Sequence, residues 1–334
     1  MNILGIETSC DETAVAIVRD GREVLANVVY SQVARHTPYG GVVPEVAARA
    51  HVDVLPGLLQ RAMDETGLAW SDLDGVAATR GPGLATSLVI GLTAAKALAL
   101  RLDVPFLGIN HLEAHLYSVL LGPDAPDPAT VWPSLVLLVS GGHTCLVRME
   151  GPGRHLLLGQ TVDDAAGEAL DKGAKLLGLG YPGGPELEAA ARGGNDTFVR
   201  FPRGATRNER RDLRVQHPDL CFSFSGLKTA LLYYLRAHPE TRTDGTFAHV
   251  AASYQAAVVD TLVLQVERAL DEVPVRSLAC AGGVARNQLL RDRLRAVAVS
   301  RGLPLLLAQP EYCTDNAAMI GALAGALLAA GAAP

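Results

Sequence analysis

The chain has 334 residues, 49% hydrophobic and only 5% aromatic, with a net charge of −6 and a mean hydropathy of +0.20. That length provides for about two domains with a large aliphatic core, and the charge excludes a uniformly basic nucleic-acid binder, so any such contact is a local patch. Five scattered cysteines without a Cys-x-x-Cys pair, and an N-terminus without a basic leader or cleavage site, point to a reduced, cytoplasmic protein with no export signal.

Residues 2–6 form a short apolar run expected to be a strand. It ends in a polar loop, Glu7-Thr8-Ser9-Cys10-Asp11-Glu12-Thr13, and resumes over 14–18. Asp20-Gly21 is a hairpin turn signal, and 23–30 is a third strand. A helix is expected over 45–59, running on to Thr66. Arg80-Gly81-Pro82-Gly83 forces a bend before a helix over 85–102. The first N–H groups of that helix suit an anion, and equally an ordinary strand-to-helix turn.

The next helix, 111–121, carries Asn110-His111-Leu112-Glu113-Ala114-His115. Residues four apart share a helix face, about 5–6 Å between Cβ atoms. At that spacing two imidazoles can hold one metal ion. With nine histidines in the chain such a pair also arises by chance. A metal needs a third ligand from elsewhere, and an open position if it does chemistry.

Residues 122–128, Gly-Pro-Asp-Ala-Pro-Asp-Pro, are Pro-rich and mark a domain boundary. The N-terminal lobe is then 1–127 with 308–334 packed back on it, and the C-terminal lobe is 128–307. Beyond the boundary, 134–139 is a strand, Ser140-Gly141-Gly142-His143-Thr144 a small polar loop, and 145–149 a strand. A turn at 150–153 and a strand over 155–159 follow. Strand, polar loop, strand, turn, strand thus occurs twice, about 130 residues apart: a repeat of elements rather than residues. It implies two similarly built α/β lobes whose polar loops face each other across a cleft and grip a phosphate.

Asp163-Asp164 is expected to open a helix bearing Asp171 and Lys172. Residues 178–185 form a rigid loop of little bulk. The strip 200–214 carries six arginines against two acids, the one basic patch, either a solvated loop or a tRNA-facing surface. Helices over 246–272 and 287–301 flank a buried strand, 278–281, that runs into Gly282-Gly283. A last strand over 303–308 precedes a loop holding Asp315. The uncharged stretch 317–334 is rich in Ala, Gly and Leu, which suits a helix packed inside the protein better than a membrane span.

Ten stretches together resemble one known family. They include Glu7-Thr8-Ser9-Cys10-Asp11-Glu12-Thr13, Tyr39-Gly40-Gly41-Val42-Val43-Pro44-Glu45, Gly81-Pro82-Gly83-Leu84, the histidine stretch, and Leu138-Val139-Ser140-Gly141-Gly142-His143-Thr144. Asp171-Lys172, Tyr181-Pro182-Gly183-Gly184-Pro185, Phe222-Ser223-Phe224-Ser225-Gly226-Leu227-Lys228-Thr229, Gly282-Gly283-Val284-Ala285-Arg286-Asn287 and Thr314-Asp315-Asn316 follow in order. The chain thereby resembles the tRNA N6-adenosine threonylcarbamoyltransferases, once misnamed O-sialoglycoprotein endopeptidases. The region between Arg203 and Leu220 is longer than the resemblance leads one to expect.

The resemblance implies an actin/Hsp70-like (ASKHA) α/β fold of two related lobes with a central ligand cleft. It implies one divalent metal, Fe2+ or Zn2+, on His111, His115 and Asp315. It implies an adenylate, or ATP or AMP, gripped by Leu138, Val139, Ser140, Gly141, Gly142, Asp171, Gly184 and Asn287. The implied reaction moves a threonylcarbamoyl group from threonylcarbamoyl-AMP to N6 of the adenosine 3′-adjacent to the anticodon, in tRNAs reading codons that start with A. The implied partners are tRNA, a shorter inactive paralogue of the same fold and a small ATPase, with no membrane.

The chemistry suits these residues. Two imidazoles and a carboxylate leave exchangeable positions for Zn2+ or Fe2+. Asp11 and Glu12 are the candidates to take the proton from N6; loop capping or a Mg2+ ion are their other uses. A zinc peptidase is the rival enzyme, but Glu113 lies two residues from each histidine, about 200° around a helix, and points away from the metal. An ATPase or kinase on the same fold would use the phosphate loops with Mg2+ and has no use for the histidine pair. A non-catalytic scaffold would have lost the metal triad.

Overall fold

The structure, a computed structural model, describes residues 1–39, 41–123, 125–203 and 215–333. The chain divides into two compact units, Met1–Pro128 with Ala308–Pro334, and Ala129–Leu307.

The first unit is built on a five-stranded sheet in the order β3-β2-β1-β4-β5. Its strands are β1 (Asn2–Glu7), β2 (Glu12–Arg19), β3 (Glu23–Ser31), β4 (Gly75–Gly81) and β5 (Phe106–Asn110). The first three run antiparallel, and β4 and β5 add in parallel beside β1. Its helices are α1 (Pro44–Thr66), α2 (Ala85–Leu102) and α3 (His111–Tyr117). Strand β1 is apolar from Ile3 to Ile6, as a strand covered on both faces must be. Leu4 and Ile6 pack with Leu55, Met63, Ala95 and Ala99 of α1 and α2. On the other face, Gly5 leaves room for the C-terminal helix, Ala318–Ala329: a Cβ there would lie 2.5 Å from Ala317 O and 2.8 Å from Gly321 N. The turn after β2 places Asp20 and Gly21 at φ +52° and +67°, the left-handed pair a tight hairpin demands.

The second unit repeats the plan, with a sheet ordered β10-β9-β6-β7-β8. Strands β6 (Ser134–Val139), β7 (Thr144–Gly151) and β8 (Arg154–Gln160) are antiparallel; β9 (Ser277–Ala281) and β10 (Leu305–Leu307) continue in parallel. Helices α4 (Ala166–Leu177), α5 (Gly183–Ala190), α6 (Ser225–Ala237), α7 (Phe247–Glu272) and α8 (Gln288–Arg301) fill the intervals. The element-level repeat seen in the sequence is therefore a repeat of sheet topology.

Three expectations differ. Residues 178–185 are not all loop, since Gly183 opens α5. The helix expected at Asp163 begins at Ala166. Asp163 instead serves α6: its Oδ1 accepts from the N–H groups of Phe224 (2.7 Å) and Ser225 (3.3 Å), and Ser225 Oγ donates to Oδ2 (2.9 Å). Those bonds outweigh burial and hold its carboxyl below the usual range. The last strand shortens to Leu305–Leu307, followed by a short helix, Pro310–Cys313. Of the arginine strip, 204–214 lies outside the described residues.

Candidate metal centre and nucleotide-gripping elements

Helix α3 starts where β5 stops. The Asn110 side chain caps it, accepting from the N–H groups of Leu112 (2.9 Å) and Glu113 (3.2 Å). This fixes His111 in the first turn and His115 one turn on. Their rings meet edge to face, centroids 4.7 Å apart. Asp315 arrives from the far end of the chain. Its neighbour Asn316 accepts from Met319 N–H (3.1 Å), capping the helix that Gly5 admits against β1. The result is that His115 Nε2 lies 3.0 Å and His111 Nε2 3.4 Å from the same Asp315 Oδ1. Both histidines are buried, and Asp315 is partly so. Among the described residues these three form the one group of His, Cys, Asp or Glu whose ligand atoms all lie within 4.8 Å.

Glu7 lies behind His111. This fully buried carboxylate, the last residue of β1, places Oε2 3.0 Å from His111 Nδ1. Thr79 Oγ1 donates to the same oxygen (2.5 Å), and Ser9 N–H donates to Oε1 (2.5 Å). A carboxylate only accepts, so Glu7 keeps a proton on His111 Nδ1 and leaves Nε2, which faces Asp315, as the nitrogen a cation would use. A second carboxylate behind a ligating imidazole, holding its tautomer, is the usual companion of a metal-bound histidine. The donor set therefore fits a divalent cation. Without a cation, burial works against charge on all three groups, yet Glu7 and Asp315 are held low and His111 well high by their mutual attraction, so Nε2 also carries a proton, one that a bound cation would displace. His115 Nδ1 is buried with no partner among the described residues.

Asp11 and Glu12 lie in the same unit: Asp11 ends the loop after β1, and Glu12, expected in that loop, is instead the first residue of β2, paired with Ser31. Ser31 Oγ donates to Glu12 Oε1 (3.3 Å). Burial, then the charges of Asp11 and Asp315, push the Glu12 carboxyl up to about 9. Asp315 is felt at Glu12, so the start of β2 lies within electrostatic range of the histidine cluster.

The other expected residues gather at one end of the second sheet. Leu138 and Val139 end β6 fully buried, backbone included, so they stand behind the loop that follows rather than at the surface. Ser140 to His143 make a closed turn, with Ser140 N–H donating to His143 O (2.8 Å) and His143 N–H to Ser140 Oγ (3.1 Å). Gly141 and Gly142 border open space. Gly167 packs beneath, where a Cβ would lie 2.6 Å from Ser140 O. Asp171 Oδ1 accepts from Gly183 (2.8 Å) and Gly184 (3.1 Å), pinning α5 to α4. Asn287 caps α8 by accepting from Leu290 N–H (3.0 Å). Gly282, at φ +93°, is pressed against the end of β6, where a Cβ would fall 2.2 Å from Val139 O. The loop after β6, the loop after β9 and the start of α4 thus share the carboxyl ends of β6 and β9, where open α/β sheets bind ligands. Lys172 is held by Asp164 (2.7 Å) and Glu168 (2.8 Å).

Residues 23–322 match the profile of the family described as "TsaD: tRNA N6-adenosine threonylcarbamoyltransferase". A relative of that name from Aromatoleum aromaticum is 50% identical over 330 residues, 99% of this chain and 92% of that one. Another from Trichlorobacter lovleyi is 45% identical over 331 residues, 99% and 93% of the two chains. The chain belongs to the tRNA N6-adenosine threonylcarbamoyltransferase family. It is accordingly a transferase that modifies tRNA at N6 of an adenosine, and the kinase and peptidase readings are not favoured. Among solved structures, HypF of T. kodakarensis superposes with a TM-score of 0.64 at 17% identity, covering 99% of this chain and 48% of that one. Component A of (R)-2-hydroxyglutaryl-CoA dehydratase from Acidaminococcus fermentans gives 0.54 at 16%, covering 98% and 97%. These likenesses show the fold, an actin/Hsp70-like α/β architecture.

Glu7, Ser9 and Thr79 were not singled out as site residues by the sequence. The available signal was a lone carboxylate closing an otherwise apolar strand, Asn2–Glu7. Such a group is buried only with partners.

Proposed function

We propose that this threonylcarbamoyltransferase takes its group from threonylcarbamoyl-AMP and places it on the adenosine 3′-adjacent to the anticodon of tRNAs reading codons that start with A. His111, His115 and Asp315 hold one divalent cation, iron or zinc. The observation that carries this reading is the convergence of two imidazole Nε2 atoms on one Asp315 oxygen, with Glu7 fixing the His111 tautomer from behind. When bound, such a cation supplies a Lewis acid for the donor's carbonyl or phosphate. The loop Ser140-Gly141-Gly142, with Leu138 and Val139 behind it, and Asp171, Gly184 and Asn287 hold the adenylate. Asp11 takes the proton that N6 loses on attack, whereas Glu12, raised to about 9, keeps its own proton at neutral pH and stands beside it. Because an aromatic amine is a weak nucleophile, holding it at attack distance contributes most of the acceleration.

The partners in this reading are a shorter paralogue of the same fold and a small ATPase, in the cytoplasm. Helix α2 supports a protein partner: Val89 is 60% and Leu100 85% exposed on a helix long and apolar enough to span a membrane, with 28% of its apolar window buried. The two side chains lie on one face of α2, with Thr93 and Lys96 exposed between them, and that face is the surface this reading offers to a partner.

The test reconstitutes the chain with threonine, bicarbonate, ATP, a donor synthase, the partners and unmodified tRNA, followed by mass spectrometry of the nucleosides. Threonylcarbamoyladenosine is expected with wild type and lost with His111→Ala. Its absence with wild type, or equal yield with the variant, defeats the proposal. Protein cleavage that depends on Glu113 would restore the peptidase reading.

A further inference from the structure

Beneath the loop that carries Asp11 and leads into Glu12 lies a chain of polar side chains that neither the metal cluster nor the adenylate elements use. Thr13, Gln32, His36 and His51 are all fully buried. His51, in the middle of α1, has Nε2 3.0 Å from Cys10 O. A carbonyl only accepts, so Nε2 carries the proton. His51 Nδ1 is then the acceptor, taking bonds from Thr13 Oγ1 (2.7 Å) and Gln32 Nε2 (3.4 Å). Gln32 Oε1 accepts from His36 Nε2 (3.2 Å), which leaves His36 Nδ1 to accept from Val43 N–H (3.3 Å). Every bond has its donor on one side only. The direction runs from Val43, at the entry of α1, to the carbonyl of Cys10. Gln32 grips the loop a second time, its N–H donating to Asp11 O (2.9 Å). Burial also holds the His51 imidazole below its ordinary value, so the ring stays neutral and Nδ1 stays bare.

A buried, fully satisfied polar chain specifies one arrangement, because breaking any link strands a donor or acceptor away from water. What it specifies here is the backbone at Cys10 and Asp11, immediately before Glu12. We infer that His51, oriented by Thr13, Gln32 and His36, is a positioning residue for group transfer. Through its Nε2–H bond to the Cys10 carbonyl it sets where Asp11 and Glu12 stand. The inference rests on the reading of Asp11, with Glu12 beside it, as the proton acceptor.

His51→Gln can keep an N–H donor toward Cys10, and His51→Met cannot. In the reconstituted system with full-length chain, partners and tRNA, His51→Met should lower kcat about 10- to 100-fold, the scale of an ångström's misplacement. The KM for tRNA and the affinity for Zn2+ should not change, and His51→Gln should recover most of the loss. Nitrogen NMR of the histidine-labelled wild-type chain should show His51 protonated on Nε2 and bare on Nδ1. Wild-type kcat in His51→Met, equal losses in both variants, a loss confined to KM, or a proton on Nδ1 each overturns the inference. If His51→Met does not fold, Gln32→Met breaks the chain one link farther out, with the same expectations for kcat and KM. If Asp11→Asn keeps wild-type kcat, the proton-acceptor reading itself falls and takes this inference with it. If it loses kcat while His51→Met does not, this inference alone falls.

Discussion

Glu7 and Glu12 are five residues apart and meet opposite environments. Glu7 is surrounded by donors and faces an imidazole, so it stays charged although wholly buried. Its neutral amide variant, Glu7→Gln, can donate to His111 Nδ1 and so favours the wrong tautomer. We expect Zn2+ affinity, measured by calorimetric titration, to fall about 10- to 100-fold, as when other partners behind metal-bound histidines are lost. Unchanged affinity would sink the metal assignment of His111. Glu12 faces carboxylates instead, and its carboxyl rises from 4.5 to about 9. Below 4.5 it is protonated whether the chain is folded or not. Between 4.5 and about 9 the folded chain holds a proton that the unfolded chain has released, so stability falls as pH rises through that window. In metal-free protein, Glu12→Gln should therefore raise Tm at about pH 8 and lose that advantage as the pH drops toward the ordinary carboxylate range. A Tm difference independent of pH would contradict the environment described for Glu12.

At the scale of elements, the metal-site geometry depends on packing that no ligand touches. Gly5 lets the C-terminal helix lie against β1, and that helix begins three residues after Asp315. Gly5→Ala should cost about 1–3 kcal/mol in denaturant unfolding, the usual toll of overpacking. It should also weaken Zn2+ binding, because the backbone atoms of Ala317 must move. A stability loss with unchanged metal affinity would separate the helix from the site. The same element shows what the sequence could and could not yield. Its burial was legible from small residues and absent charge. The two sheets were legible because short apolar runs broken by polar loops recur in the same order. That Asp315 meets His111 and His115 was not legible from periodicity; only the family resemblance pointed to it, because the partners are separated by 200 residues. Glu7 escaped because its role is conferred by Thr79 on β4 and His111 on α3, neighbours that strand order supplies. Asp163 was misread because an acid before a helix can cap a different helix, here α6.

For the whole molecule, the first unit presents two exposed apolar side chains on one face of α2, Val89 and Leu100, that its own core does not use. Replacing the 85%-exposed Leu100 by Asp, or Val89 by Asp, should leave the unfolding free energy of the isolated chain within about 0.5 kcal/mol of wild type, as exposed substitutions do. Both should weaken association with the paralogue by sedimentation, and product yield should fall with the complex. Undiminished association would place the partner surface elsewhere.

The wide separation of Asp315 from the two histidines also sets a schedule. His111 and His115 leave the ribosome 200 residues before the carboxylate that meets them. At about 5–20 residues per second that delay is on the order of 10–40 s. Throughout it, the nascent chain offers two imidazoles backed by Glu7 but no third protein ligand, and β1 lacks the helix that covers one of its faces. The three-residue cluster is thus completed only once Asp315 has been made, and a chain stalled short of that residue can neither close its first unit nor assemble the cluster.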